Sequence, residues 1–383
     1  MKNLVVFFYI DALNSRFLSH DIMPFLSKLA TKHHYFELEN VLGYSFAIQS
    51  SMLSGKYPDE INHWMPYFYC PETSPILFRT LNTVNKLLAL DKLQTIRYFL
   101  ISGSRRFFLR KGVQANNTPL SIINKIALYP YYYMCEIPFF LELKELLRKK
   151  LQTALTYIGP PKQRTNVYKA LFKHLRTSKH ENEVIIVYDD SLDGRGHAFG
   201  PYSSQCLNYA RTLDSALAAI YQKLINLYGN NLNFLVFSDH GQSNLKFQID
   251  VLSKLSKRGL KFGVDYVCFV DATLALFWPE DNLAKEKILR ALNEVGRGII
   301  IDENARRKYH LEFKDNKYGE VIYLLEAGGT FVPNFFSPFG AMKGLHGYLP
   351  EDEVQKSFLI SNKEPSIQLT HIKDIRRLLM NYF

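Results

Sequence analysis

Three runs of apolar residues, the third interrupted by Asn233, constrain the fold of this chain more than any other feature. They span residues 4–10, 184–188 and 232–237. A strand that is apolar at every position is buried on both faces, which is typical of parallel sheets covered by helices. Between the second and third runs, residues 206–227 carry apolar side chains at helical spacing. We therefore predict an α/β fold with a mostly parallel central sheet flanked by helices on both faces.

Two stretches depart from this pattern of buried strands and helices. Residues 75–161 contain helical segments, a basic run at 104–111 and a tyrosine cluster at 129–133, and we predict a helical cap insertion there. Residues 267–331 show short apolar strands around a helical segment at 282–295, which indicates a small α+β insertion. At 383 residues and 44.5 kDa the chain can hold one large domain, 1–383, that contains both insertions.

The net charge and the cysteine content indicate which kinds of partner and which cellular compartment to expect. The net charge of +11 favours anionic partners, which include phosphorylated substrates, nucleic acid and an acidic membrane surface. The first apolar run has the length of a strand, so we interpret it as part of the fold and not as a signal peptide. The four cysteines match no metal or redox spacing. We expect reduced thiols and a cytoplasmic location, with a peripheral membrane association as the alternative.

Seven polar residues at the ends of strands or close to glycines form the candidate site. Carboxylate and imidazole ligands of this kind suit zinc or a similar transition metal. Two metals that flank one hydroxyl group suit in-line displacement at phosphorus. The sequence thus predicts a metal-dependent phosphoryl-transfer hydrolase, with these candidate residues: Asp11, Ser45, Asp193, His197, Asp239, His240 and His346.

The local sequence around these residues is compatible with both a structural and a chemical role. Ser45 opens a predicted helix, where a serine usually acts as a cap, but helix amides also favour an anion at that point. Asp193 and His197 are four residues apart, which places both side chains on one side of a helical turn. Asp239 and His240 are adjacent, so they could serve one metal each or approach one ion together.

In this order, the motifs closely resemble the type I phosphodiesterase/nucleotide pyrophosphatase family of the alkaline phosphatase superfamily. The resemblance covers roughly residues 1–65, 180–265 and 320–383. The matching segments are Tyr9-Ile10-Asp11-Ala12, Ser45-Phe46 with Ser54-Gly55-Lys56-Tyr57-Pro58, Asp193 through Gly196-His197 to Gly200-Pro201, Phe237-Ser238-Asp239-His240-Gly241, and Gly344-Leu345-His346-Gly347-Tyr348.

The resemblance implies an alkaline phosphatase-like fold and a site for two divalent metals, for which we expect zinc, while manganese and iron can share such ligands. Ser45 would attack phosphorus and carry a covalent phosphoryl group. One metal would be held by Asp11, Ser45, Asp239 and His240, and the other by Asp193, His197 and His346. The expected substrate is a phosphodiester or phosphoanhydride in a small-molecule or lipid-linked compound.

The chain departs from the family's pattern at the expected phosphate-binding asparagine. Nucleotide pyrophosphatases place it some twenty residues beyond the nucleophile, where this chain has Pro66, with Asn62 and His63 nearby as substitute candidates. This departure weakens the case for a nucleotide substrate more than the case for hydrolysis.

Other activities on the same metal cage stay open. They are those of a phosphomonoesterase, a phosphonate hydrolase and a phosphate-group mutase. An arginine clamp would indicate monoesters, and Arg105, Arg106 and Arg110 of the cap could provide one, although a solvated or lipid-facing basic patch fits them better. A non-catalytic basic protein that binds membranes or nucleic acid is a further alternative, but it leaves the seven residues unexplained, and no nucleic-acid motif accompanies the basic run.

Overall fold

The computed structural model describes residues 3–109, 115–163, 166–336 and 342–383. Its strands are β1 (Asn3–Ile10), β2 (His34–Leu38), β3 (Tyr67–Tyr69), β4 (Ile126–Leu128), β5 (Ala154–Ile158), β6 (Asn182–Asp189), β7 (Leu232–Ser238), β8 (Ser243–Asn244), β9 (Phe247–Ile249), β10 (Tyr266–Val270), β11 (Leu274–Pro279), β12 (Gly298–Ile300), β13 (Val321–Leu325), β14 (Gly329–Phe331), β15 (Gly344–Leu345) and β16 (Ser357–Ser361).

Its helices are α1 (Pro24–Lys32), α2 (Ser45–Ser54), α3 (Ile76–Leu88), α4 (Gln94–Leu109), α5 (Pro138–Leu151), α6 (Val167–Thr177), α7 (Ser191–Phe199), α8 (Ser204–Tyr228), α9 (Val251–Lys257), α10 (Asn282–Val295), α11 (Glu303–Lys308) and α12 (Asp374–Met380). Within the described ranges, none of the helices has both the length and the apolarity that a membrane crossing requires.

The central sheet has six strands in the order β2-β16-β7-β1-β6-β5. The four strands β7, β1, β6 and β5 run parallel, whereas β16 is antiparallel to both of its neighbours. The three apolar runs of the sequence are β1, β6 and β7, and β1 lies between the other two. The predicted α/β fold with a mostly parallel sheet is therefore confirmed.

The two faces of the sheet are buried under different sets of helices, and this explains why the central strands are apolar throughout. Along β1, Val5, Phe7 and Tyr9 belong to one core together with residues of α2, α5 and α12. Leu4, Val6 and Phe8 belong to the opposite core with residues of α1, α6 and α8. Because successive side chains of a strand point to opposite faces, every position of β1 from Leu4 to Ile10 is excluded from water.

The stretch 75–161 contains the helices α3, α4 and α5, and also the strand β5. The helices α3 and α4 form a small core of their own with residues 120 and 123. In contrast, α5 packs on α2, and β5 pairs in parallel with β6 as the edge strand of the central sheet. As an edge strand, β5 is only partly buried and contains the polar residue Thr156, so it lacks the continuous apolar signature of the inner strands.

The stretch 267–331 forms a second, antiparallel sheet in the order β10-β11-β13-β12. The helix α10 packs against β11, β12 and β13 of this sheet. The strand β14, at the end of the stretch, pairs in parallel with β9 outside it. This pairing and the loop after β10 bring the second sheet against the edge of the main sheet where the candidate site lies.

A buried carboxylate connects two helices on one face of the central sheet. Asp214 of α8 accepts hydrogen bonds from the backbone amides of Phe25 and Leu26 at 2.9 Å each, in the first turn of α1. These amides have no partner within their own helix, because the first turn of a helix has no preceding carbonyls to bond. Asp214 thus caps α1 from a distant part of the chain.

We expect Asp214→Ala to lower the free energy of unfolding by about 1–3 kcal/mol, because it leaves two buried amides without acceptors. Urea denaturation followed by circular dichroism measures this loss. The neighbouring exposed Ser215 provides the control, and Ser215→Ala should change stability by no more than about 0.5 kcal/mol. Equal stability of the two variants would contradict the capping role.

Candidate active site

All seven predicted residues converge at the carboxyl ends of β1 and β7. Their ligand atoms fall into two groups of three, in each of which the atoms lie within 4.8 Å of one another. The Asp11 group consists of Asp11, Asp239 and His240, and the Asp193 group consists of Asp193, His197 and His346. The seventh residue, Ser45, is the first residue of α2.

The Asp11 group is built on two adjacent parallel strands. Asp11 directly follows β1, and Asp239 and His240 directly follow β7. The Nε2 atom of His240 lies 3.5 Å from Asp11 Oδ1 and 3.3 Å from Asp239 Oδ2. Asp239 and His240 are adjacent in sequence, and both therefore direct a ligand atom towards the same point next to Asp11.

Two tyrosines fix the carboxylates of this group from the sheet below. The hydroxyl of Tyr9 donates a hydrogen bond to Asp239 Oδ2 at 2.8 Å, and the hydroxyl of Tyr188 donates one to Asp11 Oδ2. The two rings lie on neighbouring strands and contact each other edge to face, with centroids 4.9 Å apart. Each carboxylate is thus oriented by a rigid, buried donor.

The Asp193 group combines one turn of α7 with the segment after β15. Asp193 Oδ1 lies 3.1 Å from His197 Nε2 and 3.6 Å from His346 Nε2. Gln242 donates a hydrogen bond from Nε2 to Asp193 Oδ1 at 2.6 Å. The glycine at position 196 makes this approach possible, because a Cβ atom there would overlap the side chain of Gln242.

Ser45 lies beside both groups. Its Oγ atom is 2.9 Å from His240 Nε2, and the ring of His240 stacks on that of His346 with centroids 3.8 Å apart. A tight turn at Gly43, with φ of +141°, precedes the helix and leaves only 2.7 Å between an added Cβ and Ala47 Cβ. The serine hydroxyl consequently sits at a helix N-terminus, where backbone amides favour negative charge.

The donor atoms of both groups fit divalent transition metals. The Nδ1 atoms of His197 and His240 face the carbonyl oxygens of Gly344 and Gly241 at 2.8 and 2.9 Å, so they must carry the proton. The Nε2 atoms are then left with free lone pairs, which is the usual arrangement of metal-binding histidines. The buried atom Asp11 Oδ1 finds no hydrogen-bond donor among the described residues, which leaves it available to a cation.

Without bound cations, burial and mutual repulsion disfavour the ionised forms of several side chains in the site. Burial, reinforced by repulsion from Asp239, raises the pKa of Asp11 well above its usual value. Burial likewise raises the pKa of Asp239. Burial and the neighbouring His240 lower the pKa of His346. Burial by itself would raise the pKa of Asp193, but His197 and His346 hold that pKa below its usual value. Divalent cations would stabilise the ionised carboxylates and neutral imidazoles together.

A cavity of about 300 Å³ opens next to the two groups. Apolar and aromatic side chains make up much of its wall, which includes Phe46, Pro66, Tyr132, Met134 and Phe336. Among the described residues that line it, there is no lysine or arginine. The cavity can therefore hold an uncharged or aromatic part of a ligand that lies next to Ser45.

The buried carboxyl of Asp271 also faces this cavity. It accepts a hydrogen bond from Tyr67 at 2.7 Å, and burial raises its pKa to about 7. The hydroxyl of Tyr44, the residue before Ser45, bonds Thr273 at 2.8 Å in the same loop. The second sheet thus contributes one wall of the cavity.

Asn62 and His63, the candidates for substrate binding, do not line the cavity. The side chain of Asn62 is exposed, and its carbonyl accepts a hydrogen bond from Lys317 at 2.7 Å. His63 is buried behind Phe46, whose ring it stacks on with centroids 4.7 Å apart. Burial lowers the pKa of His63 to about 3, as expected for a neutral, structural histidine.

The cap arginines differ in their environment. Arg105, for which the sequence favours a solvated or lipid-facing role, is buried, and its Nη2 atom lies 3.3 Å from Thr118 Oγ1. Burial lowers the pKa of its guanidinium to about 9. Arg106 is exposed, and Arg110 lies outside the described residues. The solvated role is therefore wrong for Arg105, because α4 turns it towards the small core of the cap.

Sequence reasoning missed four residues that shape the site: Tyr9, Tyr188, Gln242 and Asp271. Each tyrosine lies near the end of a buried strand, where a hydroxyl requires a partner, so the two were identifiable as candidates for contacts with Asp11 or Asp239. Gln242 follows His240 by two positions. Asp271 comes directly after β10, in the same position relative to its strand as Asp11.

The chain is similar to a known family and to solved structures. The family model described as type I phosphodiesterase / nucleotide pyrophosphatase matches residues 5–348. Murine ectonucleotide pyrophosphatase/phosphodiesterase 5, solved as an inactive variant in complex with AMP, superimposes with a TM-score of 0.65 at 15% identity, over 100% of this chain and 95% of that chain. The human protein of the same name gives a TM-score of 0.63 at 14% identity, over 99% and 94%.

At these identities the solved structures establish the fold, which is that of the murine and human ectonucleotide pyrophosphatase/phosphodiesterase 5 chains. The family model covers most of the chain, including the segments that carry all seven site residues. The chain therefore belongs to the type I phosphodiesterase/nucleotide pyrophosphatase family and is a hydrolase.

Proposed function

We propose that this protein hydrolyses a phosphodiester or phosphoanhydride through a phosphoryl group carried on Ser45. The observation that carries the proposal is the position of Ser45 Oγ, at a helix N-terminus and 2.9 Å from His240, where the two ligand groups meet. A free serine hydroxyl is a weak nucleophile near neutral pH and needs activation by its surroundings. Here the imidazole of His240 lies 2.9 Å from the hydroxyl oxygen, and the other candidate ligands belong to the same two groups.

The two groups would each hold one divalent cation, and zinc fits the mixture of carboxylate and imidazole ligands. Asp11, Asp239 and His240 would hold one ion together with Ser45, and Asp193, His197 and His346 would hold the other. When bound, such ions supply Lewis-acid stabilisation to the attacking and leaving oxygens and lower the pKa of a coordinated hydroxyl.

The side chains of the chain would act in two displacement steps. Ser45 Oγ gives up its proton to solvent and forms a bond to phosphorus while the bond from phosphorus to the leaving oxygen breaks. The leaving oxygen takes up a proton from solvent, and the leaving group departs as an alcohol or as a phosphate compound. A water oxygen then bonds to phosphorus while the bond from Ser45 Oγ to phosphorus breaks, one proton of that water passes to Ser45 Oγ, and a phosphate monoester is released. The amides at the start of α2 favour the negative charge that develops on the phosphoryl oxygens.

The cavity favours a diester over a monoester. A diester carries one negative charge and two organic groups, one of which would occupy the aromatic and apolar wall near Phe46 and Phe336. Asp271, on the same wall, opposes a second negative charge on the ligand when it is ionised. The murine relative binds AMP in its inactive variant, so a nucleotide ester is one substrate to compare with lipid-linked phosphodiesters.

The first prediction concerns the nucleophile. We expect Ser45→Ala to lower kcat for bis-p-nitrophenyl phosphate on the order of 10³-fold or more, because no other group can carry the phosphoryl intermediate. Ser50→Ala is the matched control, since Ser50 is a buried serine of the same helix that bonds Phe46 O at 2.7 Å, and it should keep most of the activity. Release of p-nitrophenol measures both rates, and undiminished turnover by Ser45→Ala would refute the proposal.

The second prediction concerns metal loading. We expect His197→Ala and Asp239→Ala each to lower the bound metal by about one equivalent, because each removes a ligand from a different group. Elemental analysis after dialysis against zinc measures the content. His20→Ala, which changes an exposed histidine, should bind as much metal as the wild type. Two equivalents in both site variants would show that these residues are not ligands.

The third prediction concerns the tyrosine that orients Asp11. We expect Tyr188→Phe to weaken zinc affinity about 10–100-fold, because the carboxylate of Asp11 loses the donor that fixes its direction. Calorimetric titration of the metal-free protein measures the affinity. Tyr35→Phe, on the outer strand β2, removes a more exposed hydroxyl and should leave it unchanged. An affinity of Tyr188→Phe equal to that of the wild type would exclude this orienting role.

A further inference from the structure

The helices α3 and α4 of the cap expose a group of large apolar side chains. Leu87 and Leu88 end α3, and Leu93, Ile96 and Phe99 lie at the start of α4 and just before it. Leu87 is 79% exposed and Phe99 is 70% exposed. We call these five residues the tip surface. Scattered single apolar residues are normal on a protein, but five within thirteen positions of one helical hairpin mark an interaction site.

The inner side of α3 and α4 forms the small core of the cap with other apolar residues, not with those of the tip surface. Phe78 and Ile101 meet Leu120 and Ile123 in the small core of the cap. Next to that core, Asn82 is buried and donates hydrogen bonds to the carbonyls of residues 120 and 121 at 3.0 and 2.8 Å. The cap thus buries an asparagine while it leaves leucines in water. The two helices are therefore packed through this core, and the five side chains of the tip surface do not take part in it.

Basic residues surround the tip surface. From Ile76 to Leu109 the sequence has six lysines and arginines, of which Arg105 is buried, Arg97 is partly buried and the other four are exposed, and one acidic residue, Asp91. Asp91 is occupied within the hairpin, where its carboxylate accepts backbone hydrogen bonds from residues 120 and 121 at 2.7 and 3.0 Å. Lys86 and Lys92, which are both exposed, flank Leu87 and Leu93 in the sequence. The hairpin therefore presents aliphatic and aromatic side chains inside a positively charged rim.

We propose that the tip surface docks onto an anionic lipid bilayer. Leucine, isoleucine and phenylalanine side chains enter the boundary between headgroups and acyl chains, while lysines contact anionic headgroups. A second copy of this chain fits less well, because a symmetric contact would bring the two positive rims together. A nucleic acid also fits less well, because four of the five apolar side chains are aliphatic and give bases no aromatic ring to stack on.

The hairpin is connected by hydrogen bonds to the wall of the active-site cavity. Arg97 of α4 donates from Nη2 to Asn117 Oδ1 at 2.6 Å, and Asn117 donates from Nδ2 to the carbonyl of Asn334 at 2.6 Å. Asn334 lines the cavity. A bilayer bound at the tip surface would thus contact an element attached to the cavity. Use of a lipid-borne substrate from that bilayer rests on the proposed hydrolysis, whereas the docking itself does not.

The test compares binding of the full chain to vesicles of phosphatidylcholine alone and of phosphatidylcholine with phosphatidylglycerol. We expect co-sedimentation with the anionic vesicles only, decreasing with added salt. A double variant, Leu87→Ser with Phe99→Ser, removes apolar contacts, and a second, Lys86→Glu with Lys92→Glu, reverses charge. Each should weaken vesicle binding about tenfold or more.

Matched controls place the same changes elsewhere on the surface. Leu227→Ser with Leu283→Ser alters two exposed leucines of α8 and α10, and Lys254→Glu with Lys257→Glu reverses two exposed lysines of α9. Both controls should bind vesicles as the wild type does. The midpoint temperature of thermal unfolding is measured for every variant. A midpoint equal to that of the wild type shows that the fold is intact, and this measurement does not depend on catalytic activity.

Three results would overturn the proposal. The first is binding of the tip variants that equals that of the controls. The second is a dimer, seen by analytical ultracentrifugation, that dissociates in the tip variants while no wild-type chain binds vesicles. The third is binding to an oligonucleotide, but not to vesicles, that only the lysine reversal abolishes. Loss of diester hydrolysis in Ser45→Ala, or its absence in the wild type, would bear on the proposed function and leave the docking result unaffected.

Discussion

The pairing of β1 with β7 is the constraint on which the site depends. In this register Tyr9 lies opposite Phe237, so the residues that follow the two strands, Asp11 and Asp239, emerge at the same edge of the sheet. Two carboxylates buried side by side repel each other and resist ionisation. The fold sustains this arrangement because the strands beneath are packed on both faces, and a bound cation would turn the repulsion into attraction for the ion.

The Asp193 group likewise brings together side chains that are distant in sequence. Asp193 and His197 are one helical turn apart on α7, and His346 comes from the segment after β15, so two separate parts of the chain contribute. The rings of His197 and His240 are held by backbone carbonyls, and the three carboxylates by side-chain donors. Such second-layer contacts restrict the ligands before any ion binds, which lowers the ordering cost of binding.

The sequence was most informative where burial is complete. The inner strands were predictable because nearly all of their central positions are apolar, and their ends located Asp11 and Asp239. The edge strand β5 was missed because partial burial permits polar residues such as Thr156. Tertiary contacts were harder to predict from the sequence. The hydrogen bonds that the tyrosines donate depend on the register of the sheet. The burial of His63 depends on aromatic residues that are distant in sequence. The substrate candidates Asn62 and His63 came from spacing alone, and spacing does not determine which side of a loop faces a cavity.

The most direct test of the account is the anomalous difference map of a zinc-soaked crystal. The account predicts two zinc peaks, one at Asp11, Asp239 and His240 and the other at Asp193, His197 and His346. Each would have ligand distances of about 2.0–2.2 Å, and the hydroxyl of Ser45 would lie between the peaks. A single peak, or two peaks with the Ser45 hydroxyl outside coordination reach of both, would contradict it.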